Sequence, residues 1–370
     1  MSARAPNPKT GSWQKNAALL VVSVLGSLLL VEGAMRAFDV RPIPFENSRH
    51  RKSIRPLAPP RDYGFVPGYS GEIAETPIAI NSLGFRGAEP AAPAPATRIV
   101  VLGDSVAFGL FVSEEETFAR QLQHKLAAAN RVAEVSNVSV PGYDTHQEVA
   151  FLEELYPRLR PQHVVLQVCL NDVSVASPLL GLTMVSQLYS GALTSRSRLL
   201  QWLTTQYYRR RIEQFNNWSN DAEVFLENHR NFVSPIPSRE SELLARMARV
   251  REAFPVGENP PAWFGDPVRV GWLRHGFEQL AEHRERHGFS VTVLLVPLFE
   301  EFEGKYPFGL VHPVVEHEAR RLGFGFLDVT GELEPRGMKK MRAREFDNVH
   351  PSAEAHALIA AALAQGAWLK

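Results

Sequence analysis

Several features that define whole classes of proteins are missing from this sequence of 370 residues. It contains a single cysteine, Cys169, so an internal disulfide and a multi-thiolate metal site are both excluded. Neither sign of charge is in excess, because 40 Lys and Arg residues balance 40 Asp and Glu residues. Without a surplus of basic residues, the sequence predicts no nucleic-acid partner.

Motifs for cofactors and metals are absent as well. No glycine-rich loop of the Walker or dinucleotide type occurs, so nucleotide-dependent chemistry has no predicted site. The 12 histidines show neither H-E-x-x-H nor H-x-H spacing, and His312, Glu316 and His317 offer at most a fortuitous pair. We therefore predict no cofactor and no required metal.

A long apolar segment lies near the N-terminus. Ala17 to Val31 contains no charged residue, and the segment continues to Met35 if Glu32 is tolerated; a membrane-spanning helix needs roughly 17 to 25 such residues. We predict an uncleaved single-pass anchor that contacts the lipid bilayer through residues 17–35. A cleaved signal peptide is one alternative, although no A-x-A cleavage site follows. A buried soluble helix is another, although the segment has no polar face.

Basic residues on the two sides of this segment bear on its orientation. Three precede it and six follow it: Arg4, Lys9 and Lys15 before, and Arg36, Arg41, Arg49, Arg51, Lys52 and Arg55 after. By the positive-inside rule alone, this count places the C-terminal bulk of the chain in the cytoplasm.

The next region is rich in proline. Residues 39–97 contain ten prolines, which predicts an extended tether with short turns and no autonomous fold. Within it, the sequence INSLGFRG from Ile80 to Gly87 is predicted to be ordered, because its asparagine and glycines favour turns around Phe85.

After Thr97, short apolar runs alternate with longer amphipathic stretches. The runs are Arg98–Gly103, Val135–Val140, His163–Leu170, Val291–Leu298 and Phe324–Val329, and helices are predicted over Thr117–Asn130, Thr145–Tyr156 and Ser352–Gln365. Continuous Val, Ile and Leu runs are typical of strands buried on both faces. The alternation predicts an α/β fold, a three-layer sandwich around a parallel sheet of about five strands, with its chemistry at the carboxyl ends of the strands.

Residues 173–265 interrupt this alternation. Helices are predicted over Ser197–Phe215 and Ser241–Phe254, between proline-rich connections, and we interpret the region as an insertion that forms a lid or a substrate-contacting cap. The Arg209–Arg211 triplet is interpreted as a solvated helix face, with contact to an anionic ligand as the alternative.

Polar residues follow three of the predicted strands. Gly103-Asp104-Ser105 places a serine on the turn into a helix, Gly142 follows the second strand, and Asn171 follows the third. A glycine lets the backbone approach a ligand, and an asparagine amide can donate to a developing oxyanion. Taken singly, each feature is also explained as a helix cap or a plain turn.

A further pair precedes the last predicted helix. Asp347 lies three residues before His350, and Pro351 is predicted at the first helical position. With this spacing the carboxylate can fold back onto the imidazole and fix its tautomer. A surface aspartate and a capping histidine are the alternative explanation.

Together, these motifs resemble the SGNH (GDSL-type) hydrolase superfamily over about Arg98 to Gly366. The resemblance implies a flavodoxin-like sheet in a hydrolase domain over residues 98–370, preceded by a cytoplasmic tail and anchor over residues 1–38 and the tether over residues 39–97. INSLGFRG also resembles a stretch that precedes the hydrolase domain in membrane-anchored members. Two positions depart from the family pattern: Cys169 replaces the usual glycine, and Val106-Ala107 replaces the usual leucine or polar pair.

The resemblance also implies a division of roles. Ser105 is the expected nucleophile, His350 its base, and Asp347 the group that orients the imidazole. The expected oxyanion hole consists of the backbone N–H groups of Ser105 and Gly142 and the side-chain amide of Asn171.

Three functions follow as hypotheses. The first is a serine esterase that removes small acyl groups, such as O-acetyl, from an envelope or exported carbohydrate. The second is an O-acyltransferase that uses the same triad, and the third is a non-catalytic, membrane-tethered carbohydrate-binding or scaffold protein. By resemblance, the expected location is the bacterial inner membrane with the catalytic domain in the periplasm, against the count of basic residues.

Overall fold

The computed structural model describes residues 12–38, 53–58, 60–61, 63–91, 97–173, 197–200, 202–203, 206, 230–254 and 260–366. The chain divides into two compact units, one formed by residues 1–46 and 184–212 and the other by residues 47–183 and 213–370. Most of the predicted helix Ser197–Phe215, including the Arg209–Arg211 triplet, lies outside the described residues.

The first unit contains one long helix, α1, over Ser12–Ala37. Its segment Trp13–Ala37 has a mean hydropathy of 2.2, and its apolar window is not buried. Near the end of α1, the Glu32 carboxylate accepts hydrogen bonds from Ser197 Oγ (3.0 Å) and the Leu199 N–H (2.9 Å). The length and composition of α1 suit either a single-pass membrane anchor or a signal sequence.

The second unit contains two β-hairpins and a five-stranded sheet. Its strands are β1 (Ile54–Pro56), β2 (Tyr63–Phe65), β3 (Ser70–Ile73), β4 (Thr76–Ala79), β5 (Arg98–Gly103), β6 (Glu134–Ser139), β7 (His163–Val168), β8 (Ser290–Leu295) and β9 (Gly325–Asp328). The last five form a wholly parallel sheet in the order β6-β5-β7-β8-β9. The predicted α/β fold with about five parallel strands is confirmed.

Helices cover both faces of this sheet. They are α2 (Ser105–Phe108), α3 (Phe118–Ala128), α4 (Thr145–Leu159), α5 (Ser241–Ala253), α6 (Pro260–Trp263), α7 (Pro267–His287), α8 (His312–Arg321), α9 (Thr330–Leu333) and α10 (Ala353–Ala364). Helix α3 packs against α10 and β6, whereas α4 packs against α7 and β5. Because both faces are covered, every residue of β5 and β7 is buried, as their continuous apolar sequences predicted.

Part of the predicted tether is folded. Strand β1 pairs with β2 and β3 pairs with β4, both antiparallel, and Tyr63, Phe65, Ile78 and Phe85 are buried in the core of the second unit. The structure here differs from the extended tether expected from the proline content. Short strands bury these apolar side chains, and that burial outweighs the preference of proline for an extended chain.

Candidate active site

Ser105 lies on a tight turn at the carboxyl end of β5. Asp104 caps α2, because its Oδ1 accepts a hydrogen bond from the Val106 N–H at 2.8 Å. Gly103 allows a close approach at this turn, since a Cβ atom there would lie 2.6 Å from the Cβ of Ala107. Ser105 itself is half-buried, while the rest of α2 is buried.

The structure brings Ser105 together with the last loop of the unit. His350 Nε2 lies 2.8 Å from Ser105 Oγ, across 245 residues of sequence. His350 Nδ1 lies 2.7 Å from Asp347 Oδ2. Asp347 Oδ1 accepts hydrogen bonds from the backbone N–H groups of Val349 (2.9 Å) and His350 (3.0 Å). A hydroxyl, an imidazole and a carboxylate are therefore in hydrogen-bonded sequence, the arrangement that activates a serine.

The charge of Asp347 follows from these contacts. Burial raises the pKa of Asp347, but the hydrogen bond and the charge of His350, with the two backbone donors, lower that pKa to about 2. The carboxylate is thus ionised at neutral pH, and it can hold the Nδ1–H tautomer of His350, which leaves Nε2 as the acceptor for the proton of Ser105.

The start of the last helix differs from the sequence prediction. Helix α10 begins at Ala353, with Ser352 as its N-cap, so the prediction that Pro351 occupies the first helical position is wrong. Pro351 instead pairs with Arg342 in an isolated bridge. This bridge closes the loop that carries His350.

Gly142 and Asn171 follow the two strands that flank β5. Gly142 has a φ of +79°, a left-handed conformation that glycine adopts without a steric penalty. The Asn171 amide Nδ2 donates one hydrogen bond to Asp104 Oδ2 at 3.2 Å. Its second N–H can donate to a substrate. Within the described part of the chain, the backbone N–H groups of Ser105 and Gly142 donate no hydrogen bond. The three predicted oxyanion donors therefore lie at one edge of the sheet with an N–H to offer.

The turn before Asn171 accommodates a cysteine where the family usually has glycine. The Cys169 N–H donates to Asp172 Oδ2 at 3.0 Å, and the Asp172 N–H donates to the Cys169 carbonyl at 3.1 Å. Cys169 does not have a positive φ, so this turn needs no glycine. Burial raises the pKa of the Cys169 thiol well above its ordinary value, which keeps the thiol protonated and unreactive.

Residues 101–358 match the sequence model of the GDSL-like lipase/acylhydrolase family. The matched range is well over half of the chain and includes Ser105, Gly142, Asn171, Asp347 and His350. The chain belongs to this family. It is accordingly a serine ester hydrolase, and its substrate is an acyl ester.

Several solved structures are similar to this GDSL-like hydrolase, two of them named as esterases. TesA has a TM-score of 0.40 and 14% identity, covering 72% of this chain and 96% of its own. The psychrotrophic esterase EstA from Pseudoalteromonas sp. has a TM-score of 0.38 and 12% identity, covering 72% and 94%. The acetylxylan esterase Axe2 from Geobacillus stearothermophilus has a TM-score of 0.38 and 12% identity, covering 74% and 97%. No curated protein matches this chain.

Phe111 and Arg344 form a wall beside His350 that the sequence did not predict. The Phe111 ring packs edge-to-face against the imidazole, with 5.2 Å between the ring centroids. The Arg344 guanidinium lies 4.1 Å from the centroid of the Phe111 ring. Phe111 has a φ of +72°, an unusual backbone conformation that its surroundings must hold in place. No local sequence pattern marks these two residues, because only the fold brings them together.

One group of possible metal ligands, Glu240, His317 and Glu318, is present among the described residues. Two arginines already pair with these carboxylates. Arg274 Nη1 lies 3.0 Å from Glu240 Oε1 and its Nε 2.9 Å from Glu318 Oε2, and Arg321 Nε lies 3.0 Å from Glu318 Oε2. A guanidinium therefore supplies the positive charge that a bound cation would bring. His312 instead bonds to Asp328 and Tyr306.

Three buried carboxyl groups, Asp104, Glu148 and Asp172, surround the base of the site. Glu148 is fully buried, and neither of its carboxyl oxygens has a hydrogen-bond partner. Burial, reinforced by the charges of Asp172 and Asp104, raises the pKa of Glu148 well above its ordinary value. Burial also raises the pKa of Asp104 and, well above its ordinary value, that of Asp172. Since Glu148 is the one of the three without a hydrogen-bond donor at either oxygen, it is held as the neutral acid.

Replacement of Glu148 by glutamine is expected to stabilise the protein at alkaline pH. A carboxyl group whose pKa is raised by folding contributes to stability at low pH and loses that contribution as the pH rises through the folded-state value. We expect the Tm of the wild type to fall as the pH rises above the ordinary pKa of a carboxyl group, and Glu148→Gln to exceed it by several degrees at alkaline pH. Glu153→Gln, an exposed residue of the same helix with 62% of its side chain accessible, is the control. Parallel Tm curves for Glu148→Gln and the wild type would contradict the assignment.

Proposed function

We propose that Ser105, His350 and Asp347 form the catalytic triad of this hydrolase. The observation that carries the proposal is the pair of short contacts at His350, 2.8 Å to Ser105 Oγ and 2.7 Å to Asp347 Oδ2. Ser105 Oγ attacks the ester carbonyl carbon while its proton passes to His350 Nε2. The alcohol leaves with that proton and an acyl-enzyme remains. Water then attacks the acyl-enzyme, gives its proton to His350, and releases the acid and the free serine hydroxyl.

We propose that the N–H groups of Ser105 and Gly142 and the Asn171 amide stabilise the oxyanion that forms in both steps. Two observations support this proposal. Each donor keeps one N–H that no acceptor among the described residues uses, and each follows one of three adjacent parallel strands. Asp104 holds Asn171 in place through the contact of 3.2 Å between Nδ2 and Oδ2. Donors fixed before the reaction begins stabilise developing charge without reorganising.

Asn171→Ala is expected to lower kcat by about 10² to 10³, with a smaller change in KM, because the amide acts on charge that develops only in the transition state. Steady-state hydrolysis of p-nitrophenyl acetate measures both constants. Asn130→Gly is the control and should keep wild-type kcat, because Asn130 lies in the turn between α3 and β6 and its φ of +58° suits glycine. An Asn171→Ala variant with raised KM and unchanged kcat would argue for a role in substrate binding instead.

For the substrate we propose a small acyl group, such as O-acetyl, on an envelope or exported carbohydrate. Two observations support this class. The Phe111 ring beside His350 narrows the space next to the triad. Phe346, 93% exposed, and the exposed Arg344 lie on the loop that carries Asp347 and His350. Phe346 offers an apolar ring to a polar, ring-shaped alcohol, and Arg344 offers the N–H groups that its bond of 2.8 Å to Glu75 does not use.

A comparison of the wild type with Ser105→Ala tests the proposed function. The panel consists of p-nitrophenyl esters of increasing acyl length and acetylated oligosaccharides. We expect turnover by the wild type only, highest for acetyl esters, and labelling of Ser105 by a fluorophosphonate probe. Equally slow hydrolysis by both proteins, with no labelling, would favour the non-catalytic carbohydrate-binding role. With an unacetylated oligosaccharide added, transfer product that outpaces free acetate would assign the O-acyltransferase reaction.

We further propose that α1 remains attached as a single-pass anchor and that the site faces the periplasm. The length and apolar composition of Trp13–Ala37 support the anchor, and an envelope or exported carbohydrate requires the outward orientation. The basic residues that follow α1 favour the opposite side. A reporter fused after Lys370 that is active only in the periplasm tests the proposal, and activity in the cytoplasm would overturn it together with the substrate class.

A further inference from the structure

A buried arginine connects the N-terminal hairpins to the nucleophile turn. Arg86, the arginine of INSLGFRG, is 2% exposed and lies before the family match, which begins at residue 101. Its Nη1 donates to the carbonyls of Phe108 and Gly109, each at 2.8 Å, and its Nη2 donates to the carbonyl of Val112 at 2.8 Å. One guanidinium therefore holds three carbonyls of the loop that follows Ser105.

These three carbonyls belong to the last residue of α2 and to the loop that follows it, where little regular structure supports the chain. Helix α2 is only one turn long and ends at Gly109, whose φ is +76°, and Phe111 has a φ of +72°. The Leu110 N–H donates to the Ser105 carbonyl at 3.1 Å, so displacement of the loop also moves Ser105. The planar fork of an arginine suits several fixed acceptors, which a lysine ammonium does not match.

The motif around Arg86 is itself rigid. Asn81 Oδ1 accepts hydrogen bonds from the N–H groups of Leu83 (3.0 Å) and Phe85 (3.3 Å), and Arg86 pairs with Asn137 of β6 in an isolated bridge. Asn137 in turn donates to the Ala107 carbonyl at 2.9 Å. The guanidinium is thus presented from a turn that is anchored to the sheet.

The same N-terminal segment also holds the loop that contains Gly142. The Tyr63 hydroxyl donates to the Pro141 carbonyl at 2.9 Å, and the Tyr143 hydroxyl donates back to the Tyr63 carbonyl. The two tyrosine rings pack edge-to-face with centroids 5.1 Å apart. Gly142 therefore lies between two residues that are bonded to Tyr63.

We propose that residues 63–87 are part of the catalytic apparatus, with Arg86 as the positioning residue for the Ser105 loop and Tyr63 as the positioning residue for the Gly142 loop. The inference rests on the proposed roles of Ser105 and Gly142. Oxyanion donors act only if they are held to within a fraction of an ångström, and a displacement of about 1 Å is enough to lower turnover about 10²-fold. The two loops carry backbone donors, which no side-chain rotation can realign.

Arg86→Ala is expected to lower kcat about 10²-fold and Arg86→Lys about tenfold, with KM within about threefold of the wild-type value. Rates are normalised to the sites that a fluorophosphonate probe labels, so that unfolded protein is not counted. Guanidinium at millimolar concentration should restore part of the turnover of Arg86→Ala and none of Arg86→Lys. Tyr63→Phe, which removes one hydroxyl, should lower kcat a few-fold.

Arg98→Lys is the matched control. Arg98 is also buried, at 3% exposed, and its guanidinium donates to the carbonyls of Leu159 (2.7 Å) and Ala91 (3.1 Å). It starts β5 at the end remote from Ser105, so its replacement should lower Tm and leave kcat unchanged.

The proposal is overturned if Arg86→Lys and Arg98→Lys lose similar Tm and both keep wild-type kcat, because Arg86 is then structural only. If Arg86→Ala does not fold, Arg86→Lys tests the proposal. In that variant, amide hydrogen exchange should be faster than in the wild type at residues 105–112 and unchanged at β8. Unchanged exchange at residues 105–112 would also overturn the proposal. Wild-type activity in Ser105→Ala would instead refute the proposed function.

Discussion

Ser105→Ala and His350→Ala are each expected to lower kcat for ester hydrolysis by on the order of 10⁶, and the double replacement is expected to lower it little further. The two side chains act as one unit, because the hydroxyl is a nucleophile only when the imidazole takes its proton across the 2.8 Å contact. Steady-state rates on p-nitrophenyl acetate for the two single variants and the double variant measure this coupling.

Ser113→Ala and His124→Ala serve as controls for that cycle. Ser113 is exposed, and 54% of the His124 side chain is accessible, so both should keep wild-type turnover. Losses in the double variant that equal the product of the two single losses would mean that Ser105 and His350 act independently, and the triad would have to be abandoned.

Asp347→Asn is expected to lower kcat by about 10⁴, because the amide can no longer stabilise the imidazolium and can hold the ring in the wrong tautomer. The wild-type and variant rates on the same ester, with KM measured separately, give the size of the effect. Asp328→Asn is a close control, since Asp328 Oδ2 lies 2.8 Å from His312 Nδ1 but that pair faces Tyr306 and not Ser105. Equal losses in the two variants would show that the Asp347 effect is one of folding.

The pH dependence of Asp347 has a definite sign. Its pKa is lowered on folding from 3.8 to about 2, so its contribution to stability is complete above the unfolded value and is lost as the pH falls towards about 2. Asp347 consequently stays ionised across the working range of an esterase. We therefore expect no loss of activity from protonation of Asp347 until the pH approaches about 2, and rates on p-nitrophenyl acetate over a series of pH values check this.

The parallel sheet was predictable because its signal is local. Runs such as Arg98–Gly103 and His163–Leu170 consist mostly of Val, Leu and Ile, and a strand buried on both faces favours that composition. The strand ends then located Ser105, Gly142 and Asn171, because parallel strands place their carboxyl ends at one edge. The pairing of Asp347 with His350 could also be predicted, since the two residues are only three positions apart in the sequence.

Other features depend on contacts between distant parts of the chain. Arg86 gave no signal by itself, since a charged residue in a proline-rich region predicts exposure. Arg86 can be buried because three loop carbonyls, more than 20 residues away in the sequence, accept the hydrogen bonds that its guanidinium would otherwise donate to water. Phe111 and the bridge of Pro351 to Arg342 have the same origin, and no periodicity marks any of them.

The sequence alone determined the α/β class, the positions of the strands and the residue types available for acyl chemistry, because these follow from hydrophobic pattern and functional groups within short windows. Only the tertiary structure decided that a hydroxyl and an imidazole 245 residues apart come within 2.8 Å, and that the proline-rich segment folds against the loops of the site. Both outcomes depend on chain closure and on the burial of polar groups against specific partners, and neither is encoded in any one stretch of residues.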